Sequence, residues 1–359
     1  MIDLTAYGYR PLGEPEEGLL PARVTAVHRE RYELVCAHGP VFGRLKTVAY
    51  YGPEAVDFPT AGDFVLLQYV PDGDSVIVKT LPRRSYFSRS DYSGHKAGYA
   101  KTVLEQAVAA NFDTCFLMTS LNQNFNPARL ERYLTLAWQS GAEPVILLTK
   151  SDLLDDFTEQ VQAAREIAMG VEVIALSAVT GFGLEQLDPY LRSGRTVVFL
   201  GSSGVGKSSL LNALMGETAM AVKEIREGDS RGRHTTTHRQ LFMLPSGAML
   251  IDTPGMREIG MWDVSTGLGT AFADVEEVLA RLCKFSDCKH ESEPGCAVKA
   301  ALENGELSAE RLESYRRLKR EARWSDDPEG ALREKWARDK AIAQWNRLQN
   351  QKKKKGGRV

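Results

Sequence analysis

A short segment of the chain places glycines, a lysine and a serine at the spacing of a phosphate-binding loop. The segment GSSGVGKS matches G-x-x-x-x-G-K-[ST], with Gly201, Gly206, Lys207 and Ser208 at the fixed positions. Glycines let backbone N–H groups curl around phosphate oxygens, and the helix that follows such a loop adds a partial positive charge. In this pattern the lysine pairs with the β- and γ-phosphates, and the serine hydroxyl binds Mg²⁺. The residues expected to contact a nucleotide here are Gly201, Ser202, Ser203, Gly204, Val205, Gly206, Lys207, Ser208 and Ser209.

The segment IDTPG carries a second motif, D-x-x-G, at Asp252 and Gly255. In a nucleotide site of this kind the aspartate holds Mg²⁺ through a water molecule, and the glycine N–H contacts the γ-phosphate. The motif is short and recurs by accident in many loops. Here it ends an apolar, strand-like run downstream of the phosphate loop, and this placement favours the functional interpretation.

The segment SRGRHTTTHRQ lies between these two motifs and contains three adjacent threonines. A threonine at this place normally completes the Mg²⁺ coordination in a loop that responds to the γ-phosphate. Thr236 and Thr237 are the candidates for nucleotide contact, and Ser208 with Thr237 is the predicted pair of magnesium ligands. The sequence leaves open which of Thr235, Thr236 and Thr237 binds the ion, and a polar surface loop is the alternative for each.

A third element indicates which base the site reads. The predicted strand PVILLTK runs into TKSD, a variant of the N-K-x-D element, at Thr149, Lys150, Ser151 and Asp152. An aspartate there accepts two hydrogen bonds from guanine N1–H and N2–H₂, whereas adenine has no matching donors and would leave the carboxylate unpaired. Lys150 would lay its aliphatic stem along the base. Because Thr149 replaces the usual Asn, we expect the loss of an amide that braces the phosphate loop, and with it an effect on nucleotide affinity.

The segment VEVIALSAVTG supplies the fourth element, S-A-x, at Ser177 and Ala178, whose backbone N–H is expected to approach guanine O6. In an ordinary G domain this element and TKSD follow D-x-x-G, yet here both precede the phosphate loop. A parallel sheet tolerates the permuted order, because each motif sits at the carboxyl end of its strand, where ligands bind whatever the connectivity. The sequence therefore predicts a circularly permuted G domain that binds GTP or GDP with Mg²⁺.

Hydrolysis needs a group that orients the attacking water, and the residue after DTPG offers none. Many GTPases place a glutamine near this position, whereas this chain has the apolar Met256. His234, just before the threonines, is the predicted catalytic residue, and His238 is the second candidate. A solvated loop histidine without a catalytic function is the alternative for either.

Three of the five cysteines cluster with a histidine in the C-terminal part of the chain. The spacing is Cys283-x4-Cys288-x-His290-x5-Cys296. Three thiolates and one imidazole, with no position left for water, are typical of a closed structural Zn²⁺ site. A short, charged loop such as KFSDCKHESEPG has little apolar surface to bury, so metal binding would contribute much of its stability. Three free thiols and a surface histidine are the alternative.

The composition is that of a soluble globular protein of 359 residues, with 43% hydrophobic residues, 26% charged residues and a formal net charge of −2. No apolar run approaches the roughly 18 residues that span a bilayer, and the N-terminus lacks a secretory pattern, so we expect a cytoplasmic protein without a membrane partner. Cys36 and Cys115 lie in apolar runs and are expected to be buried thiols. The charge is uneven, because residues 331–359 carry ten Lys and Arg against two acidic residues. This net +8 favours a polyanion partner.

Periodicity divides the chain into an all-β part, an α/β part and a helical part. Residues 22–81 contain short β-rich runs separated by turn signals, which predict an OB-like barrel, and the basic stretch 82–96 is interpreted as a linker. Beyond residue 100, alternating apolar runs and helical patterns predict a parallel sheet. The predicted strands are 112–120, 144–150, 171–178, 195–201, 239–245 and 247–253. The predicted organisation is a disordered N-terminus (1–20), an OB-fold domain (21–85), a circularly permuted GTPase domain (86–273), a zinc-binding helical domain (274–345) and a basic tail (346–359).

The order of the motifs is more specific than any one of them. TKSD, LSA, GSSGVGKSSL, RGRHTTTHR, DTPGMRE and the cysteine cluster follow one another behind a barrel that ends in LPRRSYFSR. Over about residues 20–345, including AANFD and SLNQNFNPARLERYL, this order resembles the RsgA (YjeQ) family of ribosome small subunit-dependent GTPases. Thr149 in place of Asn and the Lys-rich tail depart from the family pattern.

The resemblance implies a bacterial GTPase that binds the small ribosomal subunit and its 16S rRNA late in maturation. It implies that the ribosome stimulates turnover and that hydrolysis releases the protein. By similarity, the barrel and the zinc domain are expected to bind rRNA, and His234 is expected to take part in GTP hydrolysis.

Two other functions remain open on the residues alone. One is an RNA-binding module with a slow regulatory nucleotide site, against which the intact phosphate-loop residues and Asp152 argue. The other is an ATP-dependent P-loop enzyme, which Asp152 also disfavours. Nothing in the sequence indicates an obligate dimer, so a monomer is expected.

Overall fold

The structure, a computed structural model, describes residues 1–11, 13, 16–28, 31–51, 57–91, 104–122, 125–168, 170–216, 239–252, 264–290 and 293–326. The chain forms two compact units. The larger unit comprises Met1–Gly260 and Thr266–Ala271, and the smaller comprises Met261–Ser265 and Phe272–Val359. The regions predicted as barrel and nucleotide-binding domain therefore belong to one compact unit. In the part of the chain described, no helix is long and apolar enough to cross a membrane.

The N-terminal strands of the larger unit close into a barrel. They are β1 (Leu20–Val27), β2 (Tyr32–Cys36), β3 (Gly39–Leu45), β4 (Phe64–Gln68) and β5 (Ser75–Thr80), and the short helix α1 (Thr47–Tyr51) follows β3 in the chain. β1 pairs with β2 and β4, β3 pairs with β2 and β5, and the β4–β5 pairing completes the ring. Its interior contains buried side chains from these strands, among them Val24, Leu34, Val65, Leu67 and Ile77. The predicted OB-like barrel is confirmed.

The stretch predicted as an interdomain linker contains a strand. β6 (Tyr86–Asp91) pairs antiparallel with β7 (Leu104–Ala110) in a separate two-stranded sheet. The side chain of Phe87 is buried and stacks on Phe112, with 4.9 Å between the ring centroids. The linker prediction was wrong because the pairing partner begins only at residue 104, so no short hairpin turn marks β6 in the sequence.

The first residues of the chain, predicted to be disordered, form defined structure. Leu4–Tyr7 is a 3₁₀ helix, and the Asp3 side chain caps it by accepting a hydrogen bond from the Thr5 N–H. The Ile2 N–H donates to the Ala37 carbonyl at 2.9 Å. Because this anchoring partner lies at the end of β2, the local composition did not reveal it.

The nucleotide-binding part is built on a largely parallel sheet. Its strands are β8 (Thr114–Ser120), β9 (Glu143–Thr149), β10 (Glu172–Ala175), β11 (Thr196–Gly201), β12 (Gln240–Met243) and β13 (Met249–Asp252). In the order β10-β9-β8-β11-β13-β12, neighbours are parallel except for β12 and β13. β12 departs from the predicted parallel arrangement because only residues 244–248 connect it to β13, and a parallel crossover needs a dozen or more residues. β12 also pairs with β1 of the barrel, opposite Ala26.

The helices α2 (Pro127–Ser140), α3 (Thr158–Ile167) and α4 (Lys207–Met215) pack along this sheet. The helix α5 (Ser265–Ala271) begins in the smaller unit, and its Gly267 N–H donates to the Gln139 side chain of α2 at 2.9 Å. α2 starts where the Asn126 side chain accepts a hydrogen bond from the Arg129 N–H, and it ends at Gly141. The strands are rich in apolar residues because both faces of a parallel sheet are covered. The core beneath the nucleotide site includes Phe116, Val145, Leu147, Val197, Phe199 and Leu250.

The smaller unit contains α6 (Ala273–Leu279), α7 (Ala297–Glu303) and α8 (Ala309–Asp326). The rings of Phe272 and Tyr315 meet with 5.7 Å between centroids, and the Tyr315 hydroxyl donates to Glu276 at 2.5 Å. Arg311 donates to both carboxylate oxygens of Asp274, at 3.0 and 3.1 Å. These contacts join α6 to α8. The predicted basic tail lies outside the described residues.

Gly62 lets the barrel approach β7 closely. Its φ is 90°, its N–H donates to the Val24 carbonyl at 3.0 Å, and a Cβ at this position would overlap the carbonyl oxygen of Ala110. Gly39 also has a positive φ, 112°, but nothing lies within 4 Å of its Cβ position.

We predict that Gly62→Ala lowers the free energy of unfolding by about 1–3 kcal/mol more than Gly39→Ala, because only the first adds overpacking to the backbone cost. Urea denaturation of both variants measures this, and equal losses would contradict it.

Candidate nucleotide site and metal centre

The phosphate loop connects β11 to α4 at the carboxyl edge of the sheet. β11 ends at Gly201, α4 begins at Lys207, and Gly204 and Gly206 between them have φ values of 75° and 106°, in the left-handed region. The Lys207 ammonium donates to the carbonyl oxygens of Gly201 and Ser202, both at 2.8 Å. This contact holds a positive charge against the loop, where it can meet phosphate oxygens. The other predicted loop residues lie in the same turn and at the start of the helix: Ser203, Val205, Ser208 and Ser209.

Asp252 and Ser208 lie at the same edge of the sheet. β13 is parallel to β11, with Ile251 opposite Val198, and Asp252 is the last residue of β13. Ser208 stands in the first turn of α4, directly after the loop. Parallel strands bring their carboxyl ends to one edge, so these two oxygen-bearing side chains are suitably placed to share a hard cation such as Mg²⁺.

Thr149 ties the base-binding element to the phosphate loop. It is the last residue of β9, and its side chain is buried. Its hydroxyl donates to the Val205 carbonyl at 2.6 Å and lies 3.3 Å from the Thr119 carbonyl. The expectation that Thr149 leaves the phosphate loop without a brace is therefore wrong, because the hydroxyl contacts the loop that an amide was expected to hold.

Ser177 orients the carboxylate that was predicted to read guanine. Its hydroxyl donates to Oδ1 of Asp152 at 2.5 Å, and the Ser177 Oγ in turn accepts hydrogen bonds from the N–H groups of Val179 and Thr180, both at 3.2 Å. The chain turns into this geometry at Lys150, whose φ of 60° is left-handed. Ser177 is fully buried, so packing fixes its position. A carboxylate held in one orientation is what paired hydrogen bonds to a base edge require.

β10 is shorter than its prediction, 171–178, because it ends at Ala175. Residues 178–180 form a turn in which the Gly181 N–H donates to the Ser177 carbonyl at 3.0 Å. Ser177 and Ala178 therefore leave the strand ladder and stand in a loop at the carboxyl edge. This is where the base-binding element has to lie if it is to meet the turn after β9.

The structure brings together the predicted residues that follow β9, β10 and β11, which with β8 occupy four consecutive positions of the sheet in the order β10-β9-β8-β11. Thr149, Lys150, Ser151 and Asp152 belong to the turn after β9, Ser177 and Ala178 to the turn after β10, and the phosphate loop to the turn after β11. The remaining predictions concern residues outside the described part of the chain: His234, Thr235, Thr236, Thr237, His238, Gly255 and Met256.

Arg129 contacts the phosphate loop, although sequence analysis did not single it out. It is the third residue of α2, and its Nη1 lies 3.4 Å from Ser202 Oγ. α2 follows β8, which is parallel to β11 and ends at the same edge. The helix-start signal Asn126-Pro127, directly after an apolar run, could have placed an arginine at this edge.

The four predicted metal ligands come together in the smaller unit. The ligand atoms of Cys283, Cys288, His290 and Cys296 all lie within 4.8 Å of one another. The Nδ1 atom of His290 lies 3.6, 3.7 and 3.5 Å from the three Sγ atoms, in that chain order. A tetrahedral centre with Zn–S bonds of about 2.3 Å and Zn–N bonds of about 2.1 Å requires S···N separations of about 3.6 Å. The residues therefore fit a zinc ion bound through His290 Nδ1.

The backbone favours the thiolate form of Cys296, whereas burial raises the pKa of Cys288 to about 11. Cys296 directly precedes α7, and although burial opposes ionisation, hydrogen bonds from the Lys299 N–H and then from His290 lower the pKa of Cys296 to about 7. The Ala297 N–H lies 3.4 Å from the Cys283 sulfur as a donor. Thiolates are the form of cysteine that binds metal, so helix geometry and ligand geometry agree.

Comparison with known proteins identifies the family of this motif order. A family model described as RsgA GTPase matches residues 80–262, which contain all of the described nucleotide-site residues. The small ribosomal subunit biogenesis GTPase RsgA 2 of Lactiplantibacillus plantarum is 45% identical over 310 residues, which cover 85% of this chain and 84% of the relative. The chain belongs to the RsgA GTPase family. It is a P-loop GTPase, and the permuted order predicted from its motifs is confirmed.

Other RsgA proteins and solved structures agree with this assignment. The relative named RsgA from Streptomyces coelicolor is 46% identical over 309 residues, covering 85% of this chain and 81% of its own. The crystal structure of YjeQ from Thermotoga maritima has a TM-score of 0.58 at 27% identity and covers 84% of this chain and 97% of its own. A structure titled YloQ, a circularly permuted GTPase, shares the fold with a TM-score of 0.56 at 24% identity, over 84% of this chain and 95% of its own.

A second family model, described as ABC transporter, matches residues 184–354. That match includes the phosphate loop, a feature common to P-loop proteins of many families. It excludes both base-binding elements, the turn at 149–152 and the turn at 177–178, which the RsgA match includes. The base-binding elements and the relatives at 44–50% identity therefore support assignment of the chain to the RsgA family rather than to the ABC transporters.

The Thr149 hydroxyl holds the phosphate loop through the Val205 carbonyl, so we predict that nucleotide affinity depends on this hydroxyl. Thr149→Val keeps the shape but leaves the buried Val205 carbonyl without its donor, which costs about 1–3 kcal/mol. We expect GDP affinity to fall by about 5- to 100-fold, measured by titration with a fluorescent GDP analogue. Thr149→Ser, which keeps a hydroxyl, should remain close to the parent protein. A valine variant that binds GDP as tightly as the serine variant would contradict the assignment.

Proposed function

We propose that this GTPase acts in late maturation of the small ribosomal subunit, where it binds 16S rRNA, hydrolyses GTP to GDP and phosphate, and dissociates on hydrolysis. Relatives named small ribosomal subunit biogenesis GTPases support this at 45% identity over 85% of the chain. The observation that carries the proposal is a pair of contacts between motifs in permuted order: Thr149–Val205 joins the turn after β9 to the phosphate loop, and Ser177–Asp152 joins that turn to the one after β10.

Base selection rests on Asp152 in this proposal. With one carboxylate oxygen held by Ser177, the group accepts hydrogen bonds from guanine N1–H and N2–H₂, while the Ala178 N–H approaches O6 and the Lys150 stem packs along the ring. Adenine would leave the carboxylate unpaired, which disfavours ATP. Lys207 and the N–H groups of the loop hold the β- and γ-phosphates.

Ser208 and Asp252 are the described residues that fit Mg²⁺, the serine as a direct ligand and the aspartate through water. Bound with GTP, Mg²⁺ would supply positive charge that offsets the negative charge developing on the phosphates during phosphoryl transfer. Thr237, with Thr236 as the alternative, is proposed to complete its coordination, and the Gly255 N–H to contact the γ-phosphate. His234 is proposed to orient the attacking water, because Met256 has no polar group.

The rRNA contacts are proposed to come from the barrel, the smaller unit and the basic tail. Barrels of this type and zinc modules recur among nucleic-acid binders. Residues 331–359, which include the tail, carry a net charge of +8, and this charge attracts polyanions. We propose that the protein acts as a monomer on the subunit.

The decisive measurement is the GTPase rate of the full chain with and without purified small subunits. We expect subunits to raise kcat by about tenfold or more, ATP to be a poor substrate, and His234→Ala to lose the stimulated rate while it keeps its affinity for GTP. A rate that subunits leave unchanged would instead support an RNA-binding module with a slow regulatory nucleotide site. A preference for ATP would contradict the assignment of Asp152.

The smaller unit is proposed to hold one structural Zn²⁺ through Cys283, Cys288, His290 and Cys296. Cys288→Ala should lose most of the bound zinc and lower the thermal unfolding midpoint, because metal binding contributes folding free energy to a unit with few apolar side chains around the cluster. Elemental analysis after chelator dialysis measures the zinc. Cys115→Ala, which removes a buried thiol of the larger unit, is the control and should keep full occupancy. Full zinc in both variants would reject the ligand set.

A further inference from the structure

Three arginines from separate parts of the chain converge on one aspartate. Arg10 lies in the N-terminal segment, Arg84 between the barrel and β6, and Arg195 directly before β11. Their guanidinium nitrogens lie 3.5, 3.5 and 3.6 Å from Oδ1 of Asp113. We call these three side chains the arginine cluster. Three positive charges against one negative charge leave a local excess.

Asp113 does not form a strong charge-assisted hydrogen bond with any of the three arginines of the cluster. Its side chain is only 8% exposed, and its Oδ2 accepts a hydrogen bond from the Thr196 N–H at 2.9 Å. All three arginines share the other oxygen at distances longer than the roughly 2.7–2.9 Å of strong charge-assisted hydrogen bonds. Their side chains remain 67%, 35% and 52% exposed, in chain order. Among the described residues, Arg84 also donates to the Gly8 carbonyl at 3.4 Å, and the other donors of the three side chains are available to a ligand.

The barrel shows what a satisfied arrangement looks like. Arg31 and Arg44 each reach a different carboxylate oxygen of Asp74, both at 2.7 Å. Two arginines there match two oxygens at full hydrogen-bond strength. The arginine cluster has three arginines for one available carboxylate oxygen. The pKa of Arg84 is lowered by burial, raised by Asp113 and lowered further by the positive charges of Arg10 and Arg195. A bound anion would relieve that repulsion.

The arginine cluster lies at the amino-terminal edge of the parallel sheet. Asp113 directly precedes β8, and Thr196 is the first residue of β11. The phosphate loop follows the other end of β11, which has six residues. At about 3.3 Å per residue, roughly 20 Å separates the two edges. A nucleotide seated on the phosphate loop is therefore too far away to be the ligand of the arginine cluster.

We propose that the arginine cluster is a second phosphate site that binds the sugar-phosphate backbone of ribosomal RNA. Guanidinium groups match phosphate oxygens in a two-point geometry, and three of them suit a ligand that presents several phosphates along one strand. The identity of the RNA rests on the proposed function, whereas the excess positive charge does not. The proposal therefore places an RNA contact at the amino-terminal edge of the sheet, whereas the nucleotide site lies at the carboxyl edge.

The test compares Arg10→Gln, Arg195→Gln and the double variant with Arg165→Gln, which removes the same charge from an exposed position on α3. Each full-length protein is titrated with small subunits and with protein-free 16S rRNA at several salt concentrations. Each cluster variant should bind about 3- to 10-fold more weakly, and the slope of log affinity against log salt should fall by about 1 per arginine. GTP affinity, basal GTPase rate and the unfolding midpoint should match those of the control.

A double variant that binds both targets with the affinity and salt slope of the Arg165→Gln control would overturn the assignment of the arginine cluster alone. A loss seen with whole subunits but not with protein-free 16S rRNA would show that an acidic protein surface is the ligand and would overturn the RNA proposal. If the parent protein binds neither target and subunits do not stimulate it, the proposed function fails as well. Inorganic phosphate, added at increasing concentration, should compete only weakly if several phosphates of one strand are engaged.

Discussion

The hydrogen bond from the Thr149 hydroxyl to the Val205 carbonyl is the contact on which the nucleotide site depends. The two residues are separated by 56 positions, and the base-reading motif comes first, so no local turn can set the distance between them. The sheet sets that distance coarsely, because β9 and β11 both lie beside β8. The buried hydrogen bond sets the distance more precisely, because a buried Val205 carbonyl without a donor would lower the free energy of unfolding. Permutation changed the connections between the motifs but left the contact between the turn after β9 and the phosphate loop in place.

A buried arginine sets the geometry between the barrel and the sheet. Arg23 of β1 is fully buried, and its guanidinium donates to the carbonyls of Tyr7 and of Asn111, the latter at 3.0 Å. It also lies 3.2 Å from the sulfur of Met249 and 4.9 Å from the Phe64 ring centroid. Burying a charge is costly unless acceptors surround it. Because these acceptors come from separate segments, the arginine favours one arrangement of the N-terminus, the barrel and β13.

The elements that sequence analysis predicted have signals within a short window. The phosphate loop, the strand that precedes it and the cysteine cluster depend on hydrophobic periodicity, glycine spacing and ligand spacing over a few residues. The elements that it missed depend on distant partners. β6 needs β7, the N-terminal segment needs the end of β2, and the brace at Thr149 needs a carbonyl in another motif. Tertiary structure chooses such partners, and no local pattern contains them.

The proposed binding of a polyanion by a chain with a net charge of −2 requires an uneven distribution of charge. A protein that was basic over its whole surface would bind any nucleic acid through counterion release, with little discrimination. Here residues 331–359 carry a net charge of +8, so residues 1–330 carry a net −10, and the arginine cluster is a local positive excess within that acidic part. Separate weak contacts reinforce one another only when a single ligand reaches them together, so the shape of the proposed RNA ligand would contribute to its selection. A parallel sheet suits this division, because its carboxyl edge can hold the nucleotide while its amino edge remains open to a second ligand.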